Sequence, residues 1–508
     1  MLISDTREQD FEIVIGLVAP IGTDLDQVIT SIENNLRVYG YDSTSIRLSK
    51  LLRGGTIESS GATEAGISGA SYYEDRMNLG DLLRKKFNSG DAVAALAVAN
   101  IVGTRKNATG SHSQRRRHAW ILRTLKHEDE VKLLRTVYGS RFILVGVHQD
   151  DSQRALSLKH QVTYADPTVA NAAAKVADLM ARDEQDAINK LGQRVRETYS
   201  MADYFINMND DPEREIARFA SVLFGSPFET PTQDEQAMFH AFAESLRSAD
   251  PGRQVGAVIA DSQGLLLALG CNDVPAAGGS IPWPGSDGDA RDFRRGYDFN
   301  KQMTNQTMSE LLDILAESGA LTENLVSLTR ENRLAEVLGL GDGKVRKARI
   351  MSLIEFGRIS HAEMTAITAA SKLGTPVDGA TLYTTAFPCH MCMRLIVASG
   401  IKKVVYVDPY PKSLAFEMYS EALSTIPSDD SRVLIAPFWG ASWNIFRQAF
   451  LSEGRSRDKD GRFELPKPRE QRMKLAPADP LLGAEETERQ LLIAVVERLN
   501  SKDSPDEN

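Results

Sequence analysis

The sequence predicts an α/β protein in two parts: an N-terminal three-layer α/β domain with a mostly parallel sheet, and a C-terminal α/β/α domain with a mixed sheet. Three observations point there. At 508 residues the chain exceeds what one ordinary core accommodates, so two domains plus extensions is the natural division. Its first half alternates apolar, β-branched runs with amphipathic ones, the pattern of a parallel sheet covered on both faces. The segment GSPFETPTQ (225–233) concentrates enough Gly, Pro and Ser to mark a linker.

The first apolar run, FEIVIGLVA (11–19), is followed by the turn residues PIGTD and the helical LDQVITSIENNLRVYG: strand, tight turn, helix. Further strands are expected at STSIRLS (43–49), HAWILRTL (118–125), RFILVGVH (141–148) and ADYFINM (202–208), with helical stretches such as LGDLLRKKF and EDEVKLLRTVYG between them. This domain is assigned residues 1–224 and the linker 225–233. The second domain, 234–450, reads as a helix (234–248), strands at 254–261 and 265–272, an insertion at 276–348, a helix (361–373), a strand (380–386), a helix (389–399) and a strand (403–409). The insertion opens irregularly with SIPWPGSDGDARDFRRGYDFNKQ and continues with helical character. A C-terminal extension, 451–508, holds one amphipathic segment, ETERQLLIAVVERLN, and a polar end, SKDSPDEN, expected to be disordered.

Composition excludes several classes. No run of ~18 apolar residues exists to span a bilayer, and the opening MLISDTREQDFEIVIGL lacks the basic-then-apolar order of a secretory signal, so a cytoplasmic protein with no membrane partner is expected. The formal net charge of -10 argues against a surface built to hold long nucleic acid by its phosphates; RRRH (115–118) is a local basic cluster, read as a solvated loop. Three cysteines, Cys271, Cys389 and Cys392, are too few for a disulfide framework and suit a reducing compartment, where a C-x-x-C pair serves metal or redox work.

Two of those cysteines lie in PCHMC, 28 residues after the His of SHAEMTAI (360–367). A catalytic zinc takes three protein ligands and keeps its fourth position for water. His361, Cys389 and Cys392 supply that count, and a C-x-x-C at a helix start lets both thiolates reach one ion while the helix N-terminus helps keep them ionised. Glu363, two residues from a ligand, can sit beside the water, take its proton and pass it to a substrate nitrogen. The pattern resembles the H-x-E … P-C-x-x-C signature of zinc deaminases. The competing reading, a redox pair or structural zinc knuckle with Glu363 on the surface, leaves His361, Glu363 and Pro388 as three coincidences. His390 is read as a non-ligand and Cys271 as a small buried residue.

DPGRQVGAVIAD, GCNDVP, HAE and LYTTAFPCHMCMRLIVASGIKKVVYVDPYPKS follow, in order, the pattern of the deoxycytidylate deaminases within the cytidine deaminase superfamily, a resemblance covering 234–420 apart from the insertion. It implies a cytidine-deaminase-like fold, with His361, Cys389 and Cys392 as Zn2+ ligands and Glu363 as proton shuttle. It also implies that Asn272 hydrogen-bonds the nucleotide sugar and that the backbone of Ala362 contacts the pyrimidine. Asn272 has a second reading, as a turn residue satisfying its own backbone. Asp273 stands where relatives have Gly, and a carboxylate near a substrate phosphate is unfavourable. The implied reaction is hydrolytic deamination of deoxycytidine nucleotides (dCMP and/or dCTP) to deoxyuridine nucleotides. Within the insertion, Arg291, Arg294 and Arg295 suggest a clamp for extra phosphates, or a solvated loop.

IGLVAPIGTDLDQV resembles the opening of P-loop nucleotide kinases. Gly16, Gly22 and Thr23 are its candidate nucleotide-binding residues, yet no register gives G-x-x-x-x-G-K-[ST]. Leu25 stands where Lys belongs and Asp26 where the hydroxyl belongs, and an acid there repels phosphate; the other reading is a strand-turn-helix whose glycines merely make the turn. A degenerate P-loop domain joined to a deoxycytidylate deaminase domain looks like the two-domain deoxycytidine deaminases of bacterial anti-phage defence. That resemblance implies depletion of deoxycytidine nucleotides during infection, a regulatory nucleotide or small RNA at the N-terminal domain, and a homo-oligomer. Two other readings stand beside it: a polynucleotide deaminase acting on tRNA or single-stranded DNA, and a non-catalytic, zinc-stabilised RNA-binding regulator.

Overall fold

The computed structural model describes residues 11–54, 70–113, 115–165, 171–184, 186, 189, 191–410, 413–451, 457, 459–463, 467–471, 473 and 484–501. Residues 502–508 of the polar end lie outside them. The chain divides into two compact units, one of Met1–Phe239 with Pro437–Asn508, the other of His240–Ala436. The described strands are β1 (Ile13–Val18), β2 (Asp42–Arg47), β3 (His118–Arg123), β4 (Phe142–His148), β5 (Tyr204–Asn207), β6 (Gly256–Ala260), β7 (Leu266–Cys271), β8 (Thr381–Ala386), β9 (Lys403–Asp408), β10 (Leu423–Ser424), β11 (Val433–Pro437) and β12 (Gly440–Ala441). The expected α/β class with two sheets is what the chain forms.

In the first unit β5, β4, β1, β3 and β2 lie side by side and parallel, with β12 antiparallel outside β5. β1 is buried along its whole length, as a central parallel strand covered on both faces must be, whereas the polar DSTSIR of β2 suits an edge. The helix Leu25–Val38 turns Leu25, Val28, Ile29, Ile32 and Leu36 inward, and Asp24 caps it by accepting from the amides of Asp26 and Gln27. The helix Pro212–Leu223 starts on an Asp211 cap with Pro at its first position, and buries Ile216, Phe219 and Leu223.

Residues beyond 436 return to this unit. The expected second domain ran to 450, but the second unit ends at Ala436, because β12 adds to β5 and Phe446 stacks on Phe239 at 4.3 Å. The helix Ala484–Ser501 then brings Glu488 to Arg105, a fully buried guanidinium that also pairs with Glu12. Glu488 binds it in a fork, through Nη1 at 2.7 Å and Nη2 at 2.9 Å.

The second unit has the order β10-β11-β9-β8-β6-β7, with β6 antiparallel to both neighbours and β8 parallel to β9, the mixed sheet expected. Two glycines let helices lie close on it. A Cβ at Gly256 would sit 1.8 Å from the Ala241 carbonyl, and one at Gly270 would sit 2.4 Å from the Ala366 amide and 2.5 Å from the Ala362 carbonyl. The insertion forms the helices Asp292–Arg295, Phe299–Glu317, Glu323–Val326 and Arg330–Gly343, with a small core of its own around Met308, Leu312 and Val337. Among the described residues no helix is long and apolar enough to cross a membrane.

Glu488→Ala removes one carboxylate from a buried cation, so the first unit is expected to lose about 2–4 kcal/mol, read as a lower urea midpoint, with a smaller loss for Glu488→Gln. A second expectation concerns pH. Burial, reinforced by Arg115, holds His118 down from 6.5 to about 4, so between those values the folded state binds fewer protons than the unfolded one. Stability therefore falls as pH drops through that window, and His118→Gln should flatten this part of a plot of Tm against pH.

Candidate metal centre and its pocket

The site is built where two helices begin. His361 is the N-cap residue of the helix Ala362–Leu373, and Cys389 that of the helix His390–Ala398, so both donors sit in the positive field of a helix start. One turn along the second helix, Cys392 turns back to the same point. His361 Nδ1 lies 3.3 Å from Cys389 Sγ and 3.3 Å from Cys392 Sγ. Among the described residues this is the one group of three or more candidate ligands, and its donor atoms all lie within 4.8 Å of one another. One imidazole nitrogen and two sulfurs at such spacing fit a borderline-soft ion with a tetrahedral preference, so His361, Cys389 and Cys392 are positioned to bind a metal.

Electrostatics match. The hydrogen bond from Cys392 holds the Cys389 thiol down at about 4, and the bond to Cys389 raises His361. Glu363, 4% exposed, lies with Oε2 at 3.4 Å from Cys392 Sγ, and burial raises its carboxyl above the usual range. A carboxyl that holds a proton more tightly than a surface Glu is better matched to passing it at neutral pH. Burial also pushes Cys271 up to about 11; it sits in β7, away from the three donors. His390 is not in the donor group, and its Nδ1 is buried with no hydrogen-bond partner among the described residues.

The donors open onto a cavity of about 330 Å³ lined by His361, Glu363, Cys389, Ala362, Phe387 and Tyr410 among others, a size suited to a small ligand. Ala362 borders the cavity and is itself fully buried in the core. Asn272 lines the cavity too, but its amide is committed within the chain: Nδ2 donates to Asp250 Oδ2 (2.8 Å) and the Arg253 carbonyl (2.7 Å), and Oδ1 accepts from the Val255 amide (2.6 Å). Asp273 turns away, accepting from the Ala249 and Val274 amides.

The arginine clamp is not formed. Arg291 is buried, paired with Asp289 and Asp273, and neither it nor Arg294 nor Arg295 lines the cavity, because the insertion uses Arg291 to anchor its own start. Two other arginines do line it. Arg253 pairs with Asp408, and Arg358 donates to Asp292 and the Ala290 carbonyl. Both were in plain view, in DPGRQV and GRISHAE, but their chain neighbours carry no sign of the cavity they share.

In the first unit, Gly22 and Thr23 lie in the turn after β1, Gly22 at φ +91°. Gly16 does not join them. It sits inside β1, where a Cβ would meet Leu125 Cδ1 and the Phe142 ring at 2.8 Å, so its smallness serves packing.

Comparison with known proteins finds likenesses to this region of the chain. Residues 231–408, which contain all three donors and Glu363, match the family described as the cytidine and deoxycytidylate deaminase zinc-binding region. Among individual relatives, the chain is 43% identical over 70 residues to ComE operon protein 2 of Bacillus subtilis, covering 14% of this chain and 37% of that protein. It is 47% identical over 53 residues to the deoxycytidylate deaminase of Enterobacteria phage T4 (10% of this chain, 28% of that one), and 28% identical over 180 residues to the human deoxycytidylate deaminase (35% and 67%). The chain thus spans well under half the length of the bacterial and phage relatives. The solved dCMP deaminase of cyanophage S-TIM5, in complex with dCMP and dUMP, aligns at 19% identity and a TM-score of 0.24, over 42% of this chain and 100% of that one.

Gly270 offers a test of the site's support. Gly270→Ala drives a methyl group into the backbone of the helix that carries His361 and Glu363, and is expected to cost about 1–3 kcal/mol and to lower the metal bound per chain, measured by atomic emission.

Proposed function

We propose that the chain is a zinc-dependent hydrolytic deaminase of deoxycytidine nucleotides, converting dCMP or dCTP to the deoxyuridine nucleotide and ammonia. The observation that carries the reading is the conjunction of one histidine and two cysteines within reach of a single ion with a buried carboxylate beside them, opening on a cavity of nucleoside size. The match of residues 231–408 and the deoxycytidylate deaminases among the relatives support the substrate class.

His361, Cys389 and Cys392 would hold the zinc, which supplies the acidity that makes a water nucleophilic near neutral pH. Glu363 takes a proton from the water that attacks pyrimidine C4 and delivers it to N3; it then takes the remaining proton of the new C4 hydroxyl and gives it to the departing amine, so that the C4–N bond breaks as the C4 carbonyl forms. Cytosine plus water becomes uracil plus ammonia, and the carboxylate ends as it began. The backbone of Ala362 meets the pyrimidine edge. Asn272 acts on the sugar side by fixing the 250–255 segment, whose Asp250 and Arg253 face the cavity. Arg253 and Arg358 are the cations best placed for phosphate.

The parallel five-stranded sheet, with a turn and helix directly after its central strand β1, supports a P-loop-like reading of the first unit. With it goes the larger proposal: a cytoplasmic, oligomeric anti-phage enzyme that drains deoxycytidine nucleotides, regulated through its first unit by a nucleotide or small RNA.

Purified chain incubated with dCMP, dCTP, cytidine and a structured RNA, with products separated by chromatography, tests the catalytic reading. Deoxyuridine nucleotides are expected, and Glu363→Gln should keep its metal while losing turnover by about 10²–10⁴-fold. Product only in RNA, or turnover unchanged in Glu363→Gln, would reject it.

A further inference from the structure

A cavity of about 390 Å³ in the first unit lies at the carboxyl ends of β1, β2 and β3, where open parallel sheets bind ligands. The turn after β1 borders it, yet the amides of Ile21 and of residues 23–27 are already used. Ile21 donates to Asp183 Oδ2 at 2.8 Å, Thr23 to the Pro20 carbonyl, Asp24 to Gln149, Leu25 to the Thr23 carbonyl, and Asp26 and Gln27 to the Asp24 carboxylate. Asp183 is 1% exposed and also binds Lys126 Nζ at 2.8 and 3.0 Å. A buried carboxylate thus fills the anion position of the turn, and freeing it would leave the Ile21 amide without its acceptor and Lys126 with the Ala19 carbonyl in place of a counter-charge.

The opposite wall differs. Arg123, at the end of β3, and Arg47, at the end of β2, converge on one carboxylate, Asp26: Arg123 makes two contacts and Arg47 approaches to 3.8 Å. Asp26 is 74% exposed, so water can take it over at little cost if a better anion arrives. Arg76 completes the wall, its Nη1 on the Ser49 carbonyl and its guanidinium 5.0 Å from the Tyr72 ring centre. The other charges on the lining cancel, Lys126 against Asp183 and Arg84 against Glu130. Over the lining as a whole, the five cations Arg47, Arg76, Arg84, Arg123 and Lys126 face the three carboxylates Asp26, Glu130 and Asp183, a net charge of about +2 that matches a phosphate dianion. Tyr72 and Tyr73, meeting edge to face at 5.5 Å, border the same space and offer it an aromatic surface.

We propose that this cavity binds a nucleoside monophosphate whose phosphate is taken by Arg47, Arg76 and Arg123 in place of Asp26, and not by the glycine-bearing turn after β1. Asp26 is a placeholder anion that the ligand displaces. This sharpens the regulatory-nucleotide reading of the first unit and does not depend on deamination in the second.

The test is calorimetric titration of the full chain with AMP, GMP, dTMP and inorganic phosphate. At least one nucleotide should bind more tightly than phosphate. Its affinity should fall about tenfold or more in Arg123→Gln and in the more exposed Arg47→Gln, and rise several-fold in Asp26→Asn, a gain that misfolding cannot produce. The proposal is overturned if no nucleotide binds more tightly than phosphate, if both arginine variants bind as the wild type does, or if Asp26→Asn fails to tighten binding. Turnover of Glu363→Gln is read separately, so failure here leaves the deaminase reading intact, and the reverse holds.

Discussion

Everything at the metal centre depends on two helix starts meeting at one point. A nitrogen and two sulfurs come within 4.8 Å of one another only because the helix Ala362–Leu373 lies against β7 with no side chain between them. Gly270 supplies that absence, and Ala362 and Ala366, both fully buried, continue it on the helix. With that contact in place, three consequences follow together: His361 caps the helix, Glu363 is buried on its first turn, and Ala362 borders the cavity.

The centre was legible in the sequence because its information is local. A C-x-x-C at a helix start and an H-x-E at another need only the 3.6-residue period to bring the side chains to the right ends of their elements. The main strands were legible for a similar reason, since β-branched runs such as IVIGLV and FILVGVH declare buried parallel strands by themselves. Long-range commitments were not legible. Arg291 in a basic run looked free until its partners Asp289 and Asp273 were in place, and Asn272 looked like a ligand-facing amide until Asp250, Arg253 and Val255 occupied it. Gly16 looked like part of a phosphate loop but lies one turn of chain too early, packed under Phe142.

Carboxylates recur as internal anions throughout the chain. Asp183 satisfies the turn after β1, Asp273 ties two backbone amides to Arg291, and Asp26 bridges two arginines. Their burial separates their roles. Asp183 and Asp273 are almost wholly enclosed, where an unpaired charge is costly and exchange is slow to favour; Asp26 is open to water, where exchange is cheap. An acidic sequence can therefore carry sites for anions, provided the acids are already spent on partners.

The fork between Arg105 and Glu488 spans 383 positions of sequence. Its lasting effect is on the order in which the protein can be made. The larger part of the first unit leaves the ribosome before the second, yet its fully buried Arg105 waits for a partner encoded after the second unit, and β5 waits for β12. The second unit, by contrast, is contiguous and can close on itself as soon as residue 436 has emerged. Synthesis thus runs counter to the written order of the units: the one that begins the chain is the last to be finished, and a chain cut short near its end would carry a complete metal centre beside an incomplete neighbour.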